Sequence, residues 1–244
     1  MPARERVQKV KHWNFATRIR LDTLYSLLAW KPAMTPSHPR RHALRLSAAL
    51  AVSVALPTLL LRPATAQTAR RRTPSQTEGP FYPDQALQDA DADLLKNGSV
   101  DYRQGEQAWV SGVVTDMDGK PVAGAQVEIW QCDHEGVYRH SRSAGNKAMA
   151  FQGFGKVQVG ADGRYRFRTI KPAPYPGRTP HIHVKVKLGN RELLTSQMYV
   201  AGESANDRDG LFRRLSAADR SLLEASFSKG DDGWQAEFPI VVAA

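Results

Sequence analysis

The stretch Lys171–Leu188, KPAPYPGRTPHIHVKVKL, decides how the rest of the chain is read. It begins as a loop that holds Tyr175 between Pro174 and Pro176, and it continues as HIHVKVKL, which alternates with period two. Successive side chains of a strand point to opposite faces, so Ile182, Val184, Val186 and Leu188 share one face. His181, His183, Lys185 and Lys187 share the other. The pattern predicts a half-buried strand with its two imidazoles side by side, away from the apolar core. Histidines so placed can serve one metal ion, and Tyr175, six residues before His181, is a third candidate ligand. A histidine pair on a solvated strand face is the plain alternative.

Working outward, the chain from Trp109 reads as strands separated by turns. Ala108–Thr115 and Ala125–Trp130 alternate, and Asp116–Lys120 (DMDGK) is a turn with Gly119 at the left-handed position. Asp133–Gly136 turns the chain and Val137-Tyr138 is expected to resume it. Cys132 falls in an expected strand, as a small buried side chain. Ala161-Asp162-Gly163 is a hairpin signal ahead of Arg164–Ile170, where Tyr165 and Phe167 alternate with arginines. Further strands are expected over about 192–200 and over Gln235–Val242. Phe151–Lys156 (FQGFGK) reads as irregular, and Asp89–Lys96 as a short turn of helix. Ser216 reads as the N-cap of a helix reaching Phe227. TPSQTEGPFYP at 73–83 has three prolines and a glycine in eleven positions, which rules out helix and central strand. Its Phe81 and Tyr82 suggest an ordered loop packed on the domain. Many short, regularly spaced strands give the fold class: all-β, a β-sandwich of mostly antiparallel strands with long loops and a short C-terminal helix.

The 244 residues carry a formal charge of +10, which suggests nucleic acid until its distribution is read. Residues 1–66 hold 11 Lys and Arg against 2 Asp and Glu; from Gln67 onward the counts are 23 and 22. A nucleic-acid binder keeps its basic residues on the folded domain, so no nucleic-acid partner is expected. The basic segment reads as an export leader. Arg40-Arg41 precede a mostly apolar run from Leu44 to Leu61, and Ala64-Thr65-Ala66 offers a cleavage site. The arginine pair approximates the twin-arginine pattern. A run of about 18 residues containing Pro57 is short for a membrane span, so cleavage is expected, leaving no stable membrane anchor. The expected organisation is therefore a non-native upstream extension at 1–33, with translation starting at Met34, a signal peptide at 34–66, and one exported domain at 67–244. The single cysteine, Cys132, excludes an internal disulfide and a Cys-rich zinc site.

Gly112–Tyr138 reads GVVTDMDGKPVAGAQVEIWQCDHEGVY. Its first half resembles two families: non-catalytic β-sandwich modules associated with carboxypeptidases and cell-surface proteins, and the intradiol ring-cleavage dioxygenases. VEIWQ, then D-x-x-G-x-Y-R-H, FRTIKPAPYPGRTPHIH and SQMY resemble the dioxygenases throughout, and TPSQTEGPFYP resembles a loop those enzymes place near their active site. The similarity covers about Thr73 to Val242. It implies a non-haem Fe(III) held by Tyr138, Tyr175, His181 and His183. Fe(III) is a hard cation that depresses the pKa of a bound phenol from its ordinary value near 10. The resemblance further implies that Arg178 stabilises charge on the substrate, that Gln197 hydrogen-bonds in the same pocket, and that Tyr175 accepts a substrate proton. His134 and His140 are read as surface or supporting residues. The implied reaction cleaves a catechol-type diol with O2 to a cis,cis-muconate-type diacid and needs no organic cofactor. Pairing with itself or with a related chain is left open. The segment between Tyr175 and His181 is shorter than in the protocatechuate enzymes, so the substrate is not named. A binding module would give the four ligand positions no reason to co-occur, and a zinc hydrolase would need a third His or a carboxylate near the strand.

Overall fold

The structure, a computed structural model, describes residues 70–244 apart from 86, 88 and 146–148. The readings of 1–33 and 34–66 lie outside the described residues. A short ribbon of β1 (Lys96–Asn97) and β2 (Val100–Asp101) precedes β3 (Gln107–Thr115), β4 (Gln126–Trp130), β5 (Phe154–Gln158) and β6 (Arg164–Ile170). β7 (His181–Leu188) and β8 (Arg191–Val200) follow, then two 3-10 turns at Ser204–Arg208 and Phe212–Arg214. The chain continues through α1 (Ala217–Leu223), β9 (Glu224–Ala225), β10 (Ser228–Gly230), β11 (Gly233–Glu237) and β12 (Ile240–Val241). Among the described residues, no helix is long and apolar enough to cross a membrane.

Two five-stranded sheets carry the architecture, which is all-β as the periodicity predicts. In the first, β3 pairs antiparallel with β6 on one side and parallel with β11 and β12 on the other, with β10 beyond β11. The second has the order β5-β4-β7-β8-β9, antiparallel except for the last pair. Val110, Val114 and Phe167 of the first sheet join Val127, Ile129, Ile182, Val184, Val186, Leu194 and Met198 of the second in one buried cluster. Each such side chain contributes about 1.5–3 kcal/mol by leaving water.

Cross-strand register fixes the opposite face of the second sheet. His183 lies between Trp130 of β4 and Gln197 of β8, His181 lies opposite Tyr199, and Lys185 lies between Glu128 and Thr195. Directly paired residues point the same way, so these side chains form one polar and aromatic surface. The sequence pattern made β7 half-buried. In the structure both faces are covered: His181 and His183 are each 1 % exposed and Lys185 5 %. The reason is the 73–83 loop, which crosses this face.

Other expectations also shift. Asp89–Lys96 is not helical, because the Asp91 and Asp93 carboxylates accept the N–H groups of Asp93 and Leu95 at 2.8 and 3.1 Å. Such local bonds compete with the helix. FQGFGK is not irregular throughout, since its second half opens β5. Gly155 is there for close approach: a Cβ would lie 2.6 Å from both the Asp91 carbonyl and Leu94. Val137-Tyr138 is not a strand. Cys132 lies just past β4, buried as expected. The last strand is two short ones, each parallel to β3, separated by Phe238 and Pro239. The Ser216 cap is as expected, its hydroxyl accepting from the Asp219 N–H, but the helix stops at Leu223 as the chain enters β9. Gly119 does take a left-handed φ of 85°.

The break between β11 and β12 makes a local demand on β3. A Cβ on Gly112 would lie 2.2 Å from the Phe238 carbonyl oxygen, the group that accepts the buried Tyr165 hydroxyl. Gly112→Ala is therefore expected to cost about 2–3 kcal/mol through forced displacement of that backbone. A lowered urea midpoint with an unchanged m-value is the predicted signature. An unchanged midpoint would mean that Phe238 does not cross β3 so closely.

Candidate metal centre

The site is built from one strand and two loops. β7 presents His181 and His183, whose Nε2 atoms stand 3.2 Å apart. The Pro loop after β6 supplies Tyr175, and the turn after β4 supplies Tyr138. The Tyr138 ring centroid lies 5.4 Å from that of Tyr175 and 6.1 Å from that of His183, and Tyr175 lies 5.5 Å from His181. All four side chains expected from the sequence thus come together. Trp130 stacks flat on His183 with centroids 4.8 Å apart, and Phe81 of the 73–83 loop stacks on Tyr138 at 4.5 Å. Gly79, at φ 73°, passes over His183 so closely that a Cβ would lie 3.3 Å from its Cε1. The left-handed conformation and the tight passage both favour glycine.

Hydrogen bonds identify donor atoms facing inward. The Thr179 carbonyl lies 2.6 Å from His181 Nδ1, and a carbonyl only accepts, so Nδ1 carries the proton and Nε2 offers a bare lone pair. The Tyr138 hydroxyl and His183 Nδ1 are buried without a hydrogen-bond partner. Whichever nitrogen of His183 is protonated, a polar atom of this cluster stays unsatisfied, which is costly in a buried place. A cation bound through the two Nε2 atoms and the phenol oxygens would give the Tyr138 oxygen a partner and take up both Nε2 lone pairs. The donor set of two nitrogens and two phenol oxygens suits a hard, highly charged transition-metal ion. Among the described residues no cluster of three or more His, Cys, Asp or Glu could hold a metal, so the usual zinc ligand sets are not assembled.

Arg178 closes one side. Its Nη1 donates to Tyr175 Oη at 3.3 Å and its Nη2 to Gln197 Oε1 at 2.6 Å. Gln197 is itself fixed, donating to the Thr77 carbonyl at 2.9 Å and accepting from Tyr199 Oη at 3.0 Å. An open pocket of about 210 Å³, lined by Gly177, Arg178, Thr179, Ala205, Arg208 and Asp209, lies beside the guanidinium.

The family follows from this point. Residues 77–242 match a family described as dioxygenase. The chain belongs to the intradiol ring-cleavage dioxygenases. The β chain of protocatechuate 3,4-dioxygenase from Burkholderia cepacia is 36 % identical over 162 residues, covering 61 % of this chain and 68 % of that one. Hydroxyquinol 1,2-dioxygenase from Nocardioides simplex is 31 % identical over 152 residues, 55 % of this chain and 49 % of the relative. The chain thus spans about half the length of that relative. Among solved structures, the dioxygenase domain of a carbohydrate-binding fusion protein from Streptomyces sp. SirexAA-E superimposes with a TM-score of 0.55 at 32 % identity, covering 70 % of this chain and 97 % of that one.

The electrostatics of the dioxygenase chain separate the two phenols. Burial pushes Tyr138 well above its ordinary value, and the neighbouring Cys132 and Tyr175 add to the effect. Burial raises Tyr175 as well, but the Arg178 guanidinium works against it, and this ring is only half-buried. A bound cation would reverse both shifts. Burial lowers His181 to about 4, and burial with the neighbouring His181 and Arg178 charges lowers His183 well below the ordinary range.

Sequence reasoning missed several parts of the site. Asp209, whose side chain is 0 % exposed, accepts Arg178 Nε at 2.8 Å, and nothing local distinguishes it from the surface acids around it. Trp130 and Phe81 lie in the VEIWQ and TPSQTEGPFYP segments, but their stacking on His183 and Tyr138 is a tertiary fact. His140, read as surface or supporting, is buried; its Nε2 lies 3.5 Å from Asp84 and its ring edge meets Phe81. His134 Nδ1 and the Tyr102 hydroxyl share a hydrogen bond of 2.6 Å, outside the cluster of Tyr138, Tyr175, His181 and His183.

The low value of His181 makes metal-free stability pH-dependent. The folded imidazole stays neutral to about pH 4, whereas the unfolded one protonates near 6.5. Its contribution is therefore whole above pH 6.5 and declines as the pH falls toward 4. The slope is about 1.4 kcal/mol per pH unit. Urea unfolding of metal-free chain at pH 7 and pH 5 should show this loss, reduced in His181→Asn. An equal loss in both proteins would contradict the enclosure of His181.

Proposed function

We propose that this chain is a non-haem Fe(III)-dependent intradiol dioxygenase that cleaves catechol-type aromatic diols with O2 to cis,cis-muconate-type diacids. The observation that supports the reading is the convergence of Tyr138, Tyr175, His181 and His183, with the two Nε2 atoms facing each other at 3.2 Å and the buried Tyr138 hydroxyl without a partner. These four residues would hold the ion. Bound Fe(III) supplies a Lewis acid that draws electron density from a chelated diol and makes its ring reactive toward O2.

The chain's own groups account for binding, orientation and proton movement. Tyr138 is enclosed beneath Phe81 and fits a permanent anchor. Tyr175 is half-exposed on its Pro loop with Arg178 on its hydroxyl, so as an ion-bound phenolate it would accept a proton from an entering diol hydroxyl. The Thr179 carbonyl keeps the His181 proton on Nδ1 and its Nε2 free. Arg178 and Gln197 present fixed polar groups where negative charge builds on the ring, which favours the transition state over the ground state. The 73–83 loop excludes water from the imidazoles with Gly79 and Phe81. Export by the twin-arginine route belongs to the same proposal and rests on the leader sequence. Pairing with a related chain is supported by likeness to both chains of the Burkholderia cepacia enzyme, the α chain being 32 % identical over 170 residues.

The test is oxygen uptake by ferric-loaded chain across a set of catechols, with analysis of the product. One O2 consumed per diol, with both atoms recovered in a ring-opened diacid, is expected. Arg178→Ala should lower kcat about 10²–10³-fold. Oxidation to a quinone, or no uptake with iron fully bound, would contradict the proposal.

A further inference from the structure

Arg178 has four rotatable side-chain bonds and a charge that must face one place, so something has to fix it. Two of its nitrogens meet groups inside the site: Nη1 on Tyr175 Oη and Nη2 on Gln197 Oε1. The third, Nε, leaves the site and donates to Asp209 Oδ2 at 2.8 Å. A guanidinium has five N–H donors; these bonds use three, and the Tyr199 hydroxyl is also within reach of the guanidinium.

Asp209 is built as a rigid acceptor. Its side chain is 0 % exposed. Oδ2 also accepts the Thr179 N–H at 3.0 Å, while Oδ1 accepts the N–H groups of Leu211 and Phe212 at 2.9 and 3.0 Å. Four N–H donors thus converge on one carboxylate. They favour its ionised form over the cost of burial, and its charge in turn keeps Arg178 protonated. The residue sits between the two 3-10 turns, 31 positions from Arg178, so the anchor belongs to a separate segment. That segment is tied down independently. The Thr179 hydroxyl donates to Asn206 Oδ1 at 2.7 Å, and Asn206 Nδ2 donates to the Val200 carbonyl at 2.9 Å. The same residue, Thr179, carries the carbonyl that orients His181.

We propose that Asp209 is the positioning residue of the site: its carboxylate fixes the plane of the Arg178 guanidinium so that the Nη1 and Nη2 edge faces the diol. This rests on the proposed function. Asp209 touches neither substrate nor ligand in this role; it acts through Arg178. Asparagine cannot replace it, because each carboxylate oxygen meets two N–H donors and an amide NH2 would oppose one of the pairs.

The experiment is a double-mutant cycle on the full chain loaded with Fe(III), comparing wild type, Asp209→Asn, Arg178→Ala and the double variant. Asp209→Asn is expected to lower kcat by about 100-fold, as a misplaced catalytic group does, with KM raised far less. In the Arg178→Ala background the same substitution should lower kcat by less than about threefold, because the group it positions is gone. Equal factors in both backgrounds, or an unchanged kcat in Asp209→Asn, would overturn the role. Should Asp209→Asn fail to fold, Asp209→Glu serves: it keeps the charge but moves it by one methylene, and the same loss confined to the Arg178 background is expected.

A second readout needs neither iron nor turnover. In metal-free protein the Arg178 Nε–H signal should be protected from solvent exchange in wild type and lose that protection in Asp209→Asn. Rapid exchange in wild type would overturn the positioning role directly. Protected Nε–H together with no ring cleavage by wild type would instead overturn the proposed function, and this role with it.

Discussion

An antiparallel strand needs only its aliphatic face covered, but one that is to hold two imidazoles out of water must have both faces covered. β7 meets that constraint in two ways. Ile182, Val184 and Val186 pack into the core shared by the two sheets. The opposite face is roofed by the 73–83 loop, and the roof is pinned by charge. Lys185 pairs with Glu78 from the loop and with Glu192 at 3.3 Å, and its ammonium lies 4.2 Å above the Tyr82 ring. Tyr82 donates to Glu128 at 2.8 Å, and Lys187 donates to the same carboxylate at 2.9 Å. Such enclosed pairs add little net stability, since desolvation offsets much of their attraction. The pairs matter for direction more than strength: Glu78 on Lys185 and Tyr82 on Glu128 fix where the loop lies.

The site inherits its order from that arrangement. Register alone sets Trp130, His183 and Gln197 in one row across three strands. β7 is a central strand, paired on both sides by β4 and β8, which is the kind of support a metal or catalytic group requires. The phenols come from loops instead, and the loops make them different: Tyr138 is sealed under Phe81, while Tyr175 stays within reach of solvent. One sealed and one accessible phenol is an asymmetry that a single strand could not provide.

Much of this was legible in the sequence because alternation is a local signal. HIHVKVKL declared both its faces, and Pro174, Pro176 and Tyr175 declared a stiff loop beside them. The burial of the polar face was not legible, since the residues that cover it lie about a hundred positions away; Glu78 and Lys185 are separated by 107. Gly155 misled for a related reason. Its glycine marks the close passage of Asp91 and Leu94, not a turn, and the passing chain is remote. Asp209 gave no signal at all, because a buried acid looks like a surface acid until its four donors are in place. The parallel pairing of β11 and β12 with β3 was equally hidden, as strand direction in a sheet is decided by topology.

The visible absorption spectrum of the ferric-loaded chain tests the central claim most directly, with wild type set beside Tyr138→Phe and Tyr175→Phe. A centre made by both phenols predicts a tyrosinate-to-iron charge-transfer band in wild type that each substitution weakens and shifts. Iron bound without such a band, or a band indifferent to both substitutions, would contradict the account.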